Sequence, residues 1–312
     1  MDLSACSAGS EERGVPMAWK GIGRAVVLIL VLLGITGGAL AAPTSAALVW
    51  LQVANDGFFN QDRGYTSGVE LGIAPAGQPF SLRLGQDLYT PKSRNASVPP
   101  AGQHPYAGWL YLAGDYRFEL TPQLLLTSGL ALGTTGERAL GEEAQDLAHQ
   151  VLGFNEYDGW DSQISQRWGW IGQLRLDGRL PLWQGRCWQA DVLLHLAGRG
   201  GNVQVDGAAG ATLRLGLNPP PLQARLAPPD QPRRYLSLAA ERRLVDRNVF
   251  LEGIRARDYH VRPERQFDTL SAGLHWQQGR YQLDLDFYFP EQEFKGQRFH
   301  CRYGILRLAY WF

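Results

Sequence analysis

The chain has 312 residues, a formal net charge of zero, 45% hydrophobic residues and 37 glycines. The balance of 30 basic and 30 acidic residues gives no reason to expect a nucleic-acid partner. With three cysteines in the whole chain, the sequence also lacks the disulfide framework of small secreted domains.

The first predicted element is a secretory signal at residues 1–42. Residues 25–42 are almost wholly apolar, follow basic residues, and contain a small-x-small pattern at 39–41 that a signal peptidase reads. Cleavage there leaves residues 43–312 as the mature chain. The alternative is a membrane anchor, because the apolar run is just long enough to span a bilayer.

The rest of the chain is predicted to consist of membrane-crossing strands. Short segments alternate apolar with polar or small residues and have the length that a tilted strand needs to cross a bilayer. Twelve strands are predicted, at 47–55, 66–75, 80–90, 107–120, 123–136, 169–182, 188–201, 202–217, 234–249, 268–279, 281–294 and 302–312. The expected fold is therefore all-β: a twelve-stranded antiparallel transmembrane β-barrel with both ends at the inner side, short inner turns and long outer loops.

The two last predicted strands favour a membrane barrel over a soluble β-sandwich. In the eleventh, leucines and phenylalanines alternate with Asp284 and Asp286, and two carboxylates on one face argue against a dry core there. The twelfth ends on Phe312, which is typical of the terminal strand that outer-membrane barrels present to the barrel assembly machinery.

The longest outer loop is predicted to carry a short helix that begins at residue 141. Glu142 and Glu143 in its first turn favour the helix dipole. Five residues form an apolar stripe expected to pack on the barrel wall: Leu140, Ala144, Leu147, Ala148 and Val151. Glu142, Gln145 and His149 share a different face.

His149 is the candidate general base, because an unperturbed imidazole titrates near neutral pH and the helix holds it on a rigid element. A solvated surface histidine is the alternative. Asn55, Asp56, Asp62 and Thr66 form an oxygen-rich corner at the ends of the first two strands, suited to a hard cation such as calcium. The first three have an equally simple interpretation as turn residues.

These motifs, taken in order, resemble the outer-membrane lipid A 3'-O-deacylases, the LpxR-like family. The resemblance is densest in VANDGFF at 53–59 with DRGYTSGVELG at 62–72, GQDLYTP at 85–91, HPYAGWLY at 104–111, and GEEAQDLAHQVLG from 141 followed by GWDSQI at 159–164. It implies a monomeric barrel in the bacterial outer membrane, with an active site between the wall and a loop helix. The implied activity is calcium-dependent hydrolysis of the ester that links an acyloxyacyl chain to the 3' position of lipid A.

The resemblance also assigns roles by position. It implies catalytic roles for His149, Asn55, Thr66 and Gln145, and calcium binding by Asp56 and Thr66. In some relatives an acidic residue follows the histidine by about six positions; here Asn155 and Glu156 occupy that region and are the further metal candidates. Lys92, Arg94 and Tyr157 are the candidates for contacts with the substrate.

Two other functions are compatible with such a barrel. An outer-membrane phospholipase is the nearest enzymatic alternative, although that class uses a serine nucleophile beside its histidine. A passive pore or structural barrel explains the strands but leaves the outer-loop residues without a role.

Overall fold

The computed structural model describes residues 47–61, 63–93, 96–152, 158–186 and 188–312, and the predicted signal at 1–42 lies outside these ranges. Within them, consecutive strands pair antiparallel and the first pairs with the last to close a twelve-stranded barrel. The strands are β1 Ala47–Asn55, β2 Gly64–Pro75, β3 Phe80–Thr90, β4 Ala107–Thr121, β5 Leu124–Thr135, β6 Trp168–Gln184, β7 Trp188–Gly201, β8 Gln204–Leu217, β9 Arg233–Asn248, β10 Gln266–Gln278, β11 Tyr281–Pro290 and β12 Tyr303–Trp311. The predicted fold is thus confirmed.

Two α-helices interrupt the outer loops of the described chain. Helix α1, Gly141–Leu152, follows β5, and the one-turn helix α2, Val249–Glu252, follows β9. Neither these helices nor any other helix in the described residues is long and apolar enough to cross a membrane.

The barrel is apolar outside and charged inside. Leu71, Leu84 and Leu112 point outward on β2, β3 and β4, and each is more than half exposed, at 52%, 53% and 58%. Their neighbours point inward, where Arg83 pairs with Glu70 at 3.0 Å. This distribution is the inverse of a soluble protein and matches a wall whose outer surface meets lipid.

Exposed aromatic residues mark both ends of the apolar belt. Trp168 and Trp170 lie at the outer end of β6, and Trp183 and Trp188 lie beside the inner turn that joins β6 to β7. Tryptophan favours the boundary between hydrocarbon and headgroups, so these two girdles fix the height of the barrel in the bilayer.

The proline-rich inner connection, residues 218–232, folds back on the inner mouth of the barrel. Its Leu226 packs against the cluster formed by Leu48 and Trp311 at the inner end of the wall. Arg214 on β8 donates to the Pro220 carbonyl at 2.9 Å and so ties the segment to the interior. This connection is therefore part of the packed inner end of the barrel.

Candidate active site

The oxygen-rich corner of the first two strands and the loop helix lie at the same rim of the barrel, the outer one. β1 ends at Asn55, β2 begins at Gly64, and α1 follows the outer end of β5. The arrangement follows from strand parity, because every second connection in an up-and-down barrel lies at the same end.

Asn55 fastens the outer end of β1 to β2. Its side-chain Oδ1 accepts from the Gly57 backbone N–H at 2.6 Å and caps the 3₁₀ turn Asp56–Phe59. Its Nδ2 donates to the Thr66 carbonyl at 3.0 Å. The amide thus has a structural role, and it keeps a second lone pair and a second N–H for a ligand.

Asp56 and Thr66 are buried beside this amide. The Asp56 side chain is 2% exposed and accepts from the Arg63 backbone N–H at 2.5 Å. Thr66 sits where the β2–β3 register shifts, and its hydroxyl lies 2.5 Å from the hydroxyl of Thr90 on β3. The corner therefore contains one buried carboxylate and two hydroxyl groups.

The side chains of Thr66 and Thr90 are directed to the lipid side of the wall. Tyr65 and Tyr89, their neighbours in the two strands, line the luminal cavity of about 520 Å³. Successive side chains of a regular strand point to opposite faces, so Thr90 faces outward, and Thr66 lies on the same side because its hydroxyl contacts that of Thr90. Thr90 is fully buried there.

Helix α1 turns its polar face to the wall, which reverses one expectation. Gln145 and His149 are 4% and 6% exposed, whereas Leu140 and Leu147 are 49% and 64% exposed. Ala148 is exposed as well. The other two residues of the predicted stripe are Ala144, which is half-buried, and Val151, whose side chain lies outside the described residues. The prediction that the stripe packs on the wall is wrong for Leu140, Leu147 and Ala148. The reason is that α1 lies against the lipid-facing side, where an apolar side chain needs no protein cover.

Trp160 fixes the orientation of the Gln145 side chain. The indole N–H of this residue, 1% exposed, donates to Gln145 Oε1 at 2.7 Å. An indole can only donate, so the amide oxygen must face it and Nε2 must point away. Within the described residues this buried Nε2 has no hydrogen-bond partner. A buried unsatisfied donor costs about 1–3 kcal/mol, which an acceptor from a ligand would offset.

The motif at 104–111 builds the platform beneath α1. Tyr106 packs with Trp160 and Leu88, and Ala144 of the helix joins this cluster. A Cβ atom on Gly108 would lie 3.0 Å from the Cβ of Ala139, just before α1, so a glycine permits the close approach.

His104, at the start of the same motif, is a packing residue. Its ring stacks on Tyr89 with centroids 5.0 Å apart, and it is 3% exposed. Burial lowers the pKa of His104 to about 4, against the opposing effect of its hydrogen bond with the Pro105 carbonyl. The imidazole is therefore neutral at pH 7.

Six predicted site residues remain. Lys92 is exposed just beyond β3. Asp62, Arg94, Asn155, Glu156 and Tyr157 lie outside the described residues.

The described residues supply oxygen ligands of the type that calcium prefers, the Asp56 carboxylate and the Thr66 hydroxyl. These two groups do not make a complete ligand set. In the described part of the chain, no group of three or more histidine, cysteine or acidic side chains could hold a metal ion. The donor chemistry fits a hard cation, and a complete ligand set needs carbonyl oxygens, water or residues of the 153–157 segment.

Three contributors were not predicted from sequence: Thr90, Trp160 and Asp258. Thr90 and Trp160 fall in or beside quoted motifs, GQDLYTP and GWDSQI, but only the strand register and the folded loop reveal their partners.

Asp258 ties the loop between β9 and β10 to the loop that carries α1. Its carboxylate accepts from the Ser165 N–H at 2.9 Å, the Ser165 hydroxyl at 2.6 Å, and the backbone N–H groups of Ile254 and Arg255 at 2.9 and 3.0 Å. Burial alone raises its pKa, but these hydrogen bonds outweigh burial and hold the pKa of Asp258 below its ordinary value. The ionised carboxylate therefore stabilises the loop arrangement.

Replacement of Asp258 by asparagine is expected to loosen these loops by about 1–3 kcal/mol, because a neutral amide oxygen accepts more weakly than a carboxylate from the three backbone N–H groups. The measurement is the hydrogen-exchange protection factor of the Ser165 amide. In the wild type, protection should be full above the unfolded-state pKa of about 4 and fall as pH drops through the lowered folded-state pKa. Asp246→Asn, which alters an exposed carboxylate 3.6 Å from Arg265, is the control. Equal protection in Asp258→Asn and wild type would contradict the assignment.

Comparisons with known proteins give the following similarities. The family model described as "Outer membrane protein LpxR" matches residues 26–312. The solved structure of LpxR from Salmonella typhimurium has a TM-score of 0.75 and 21% identity, over 86% of this chain and 100% of that chain. The translocator domain of autotransporter NalP from Neisseria meningitidis has a TM-score of 0.38 and 12% identity, over 95% of this chain and 99% of that chain. A comparison with curated protein sequences finds no match.

Proposed function

The chain belongs to the outer membrane protein LpxR family, and we propose that it hydrolyses the 3'-linked acyloxyacyl ester of lipid A. The observation that carries the proposal is the orientation of α1. A buried histidine and a buried amide donor lie on the face of this helix that is turned to the lipid side of the wall. A lipid ester in the outer leaflet can reach that side without entering the lumen.

His149 acts as the general base in this proposal. It takes a proton from a water molecule, and the resulting hydroxide adds to the ester carbonyl carbon. When the tetrahedral intermediate collapses, the bond to the sugar 3' oxygen breaks and His149 returns the proton to that oxygen. The products are a free 3-acyloxyacyl fatty acid and lipid A with a free 3' hydroxyl group, and no acyl-enzyme forms.

The amide side chains orient the substrate. Gln145 presents Nε2 as a donor to an ester oxygen, because Trp160 holds its other end. Asn55 orients the ester carbonyl or the water. It does so through the second N–H and the second lone pair of its amide, which are not used in the hydrogen bonds to Thr66 and Gly57. Both amides are held by protein contacts before substrate binds, which is the preorganisation that an oxyanion site requires.

Calcium is the proposed cofactor, held by Asp56 and Thr66 together with Asn155 and Glu156. When bound, the ion supplies positive charge for the oxygen atom that becomes negative during hydrolysis. Burial of Asp56 supports this assignment, because a cation offsets the cost of keeping a carboxylate away from water. Lys92, Arg94 and Tyr157 are proposed to contact the substrate.

Trp160 is proposed as a positioning residue, and Trp160→Phe is expected to lower kcat about tenfold with little change in KM, through loss of one buried hydrogen bond. The discriminating measurement is a double-mutant cycle with Gln145→Ala. If Trp160 acts through the amide, Trp160→Phe has no further effect on kcat in the Gln145→Ala background. An undiminished loss in that background would assign Trp160 a packing role only.

The test of the proposed function is substrate profiling of the purified protein. Incubation with lipid A should release a 3-acyloxyacyl fatty acid that mass spectrometry identifies, while phosphatidylethanolamine and phosphatidylglycerol stay intact. Release of fatty acids from the glycerophospholipids instead would establish a phospholipase. An unchanged lipid A would refute the deacylase.

A further inference from the structure

Helix α1 carries three distinct surfaces. At about 100° per residue, Gly141, Gln145 and His149 form the strip that faces the wall. On one side of that strip lies an apolar flank, formed by Ala144, Leu147 and Ala148, with Leu140 directly before the helix. On the other side lies a charged and polar flank, formed by Glu142, Glu143, Asp146 and Gln150. The two flanks therefore lie on opposite sides of the strip that contacts the wall.

The apolar flank is continuous with the lipid-facing belt of the barrel. On the outward face of β3, Leu82 and Leu84 are 48% and 53% exposed, and the next outward residue is Gln86. Gln86 Nε2 donates to the carbonyls of Ala139 and Leu140 at 2.6 and 2.9 Å, and so holds the start of α1 directly above Leu84.

Beyond Gln86, the outward side chains of β3 are covered by protein. Leu88, two residues beyond Gln86, is only 4% exposed because Trp160 and Ala144 cover it. The change from exposed Leu84 to covered Leu88 shows where the helix and its loop replace lipid as the cover of the wall. Leu147 is 64% exposed in the described part of the chain.

We propose that the apolar flank of α1 lies among the acyl chains of the outer leaflet, while its polar flank faces the headgroups. Large exposed apolar side chains beside a lipid belt mark a membrane contact, and an amphipathic helix lies at this boundary with its apolar side in hydrocarbon. If the proposed function holds, the cleft between α1 and the wall opens directly to acyl chains, and Leu147 lies at its entrance.

The depth of the two flanks can be measured without any assay of activity. Nitroxide labels are attached at Leu147→Cys, Ala148→Cys and Gln150→Cys in a Cys187→Ser background, reconstituted in phosphatidylethanolamine–phosphatidylglycerol vesicles. Cys301 is 2% exposed and burial raises its thiol pKa, so the background protein should take up no label. Gln150 is the matched control, because it lies within one turn of the other two on the polar flank.

Labels at 147 and 148 should be relaxed by oxygen, which concentrates in hydrocarbon, and shielded from a water-soluble nickel chelate. The label at 150 should show the reverse. Equal nickel accessibility at the three positions would overturn the proposal, as would labels at 147 and 148 shielded from both reagents, which would indicate a second protein copy on this flank.

The consequence for the substrate is tested separately with Leu147→Asn. Loss of one buried leucine from hydrocarbon is expected to raise KM for lipid A in vesicles about tenfold with kcat unchanged. If the labels are exposed to lipid but the KM of Leu147→Asn is unchanged, α1 contacts the membrane and Leu147 does not lie at the entrance of the cleft. Lipid-exposed labels in a protein that does not hydrolyse lipid A would refute the deacylase and retain the membrane contact.

Discussion

His149→Gln is expected to lower kcat/KM for lipid A deacylation about 1000-fold, the middle of the range for loss of a general base. Glutamine keeps the size and a hydrogen-bonding end but cannot take a proton from water at neutral pH. The rate is measured with the purified protein as release of the acyloxyacyl fatty acid.

Two controls separate loss of the base from loss of the fold. The variant must still migrate as a folded, heat-modifiable barrel, which is expected because α1 lies outside the twelve-strand ladder. His300→Ala changes an exposed outer-loop histidine and should leave the rate unaltered. Activity of His149→Gln within tenfold of wild type would exclude His149 as the base.

Removal of calcium with EGTA is expected to abolish deacylation, and readdition of calcium to restore it. Asp56→Asn should require at least ~100-fold more calcium for half-maximal rate, because it removes the one buried carboxylate of the corner. The amide oxygen can still accept from the Arg63 N–H, so the loop between β1 and β2 keeps its main tie.

The matched control is Asp161→Asn, which removes an exposed carboxylate from the loop that carries α1. It should leave the calcium requirement unaltered. Full turnover of the wild type in EGTA would remove calcium from the mechanism, and an identical calcium requirement in Asp56→Asn would remove Asp56 from the calcium ligands.

The barrel could be predicted from sequence because apolar and polar side chains alternate along every strand. An outward leucine next to an inward charge, as in Leu84 and Arg83, repeats around the wall because lipid and lumen select opposite residue types. The first strand was predicted at 47–55 and observed at Ala47–Asn55. At the outer rim the observed strand boundaries differ more from the predicted ones: β2 begins at Gly64 rather than at residue 66.

The orientation of α1 was not predictable by the same rule. In a soluble protein an apolar stripe packs inward, and that expectation placed Leu147 against the wall. On the lipid side of a barrel, Leu147 can face hydrocarbon and the polar face can be buried, so the apolar pattern alone does not determine which side is covered.

Contacts between residues that are distant in sequence could not be predicted either. The contact of Thr66 with Thr90 needs the β2–β3 register, including its irregularity at Tyr65/Ser67. The bond from Trp160 to Gln145 needs the folded loop. Sequence indicated which motifs matter, whereas the pairing of side chains within them required three dimensions.

The most direct test of the central claim is mass spectrometry of lipid A from otherwise identical cells that carry the wild-type protein, His149→Gln, or neither. Wild type should lower the mass of lipid A by one 3'-linked acyloxyacyl group, and the other two samples should share an unmodified lipid A. Lipid A of the same mass in all three samples, with the wild-type barrel folded in the outer membrane and supplied with calcium, would contradict the account.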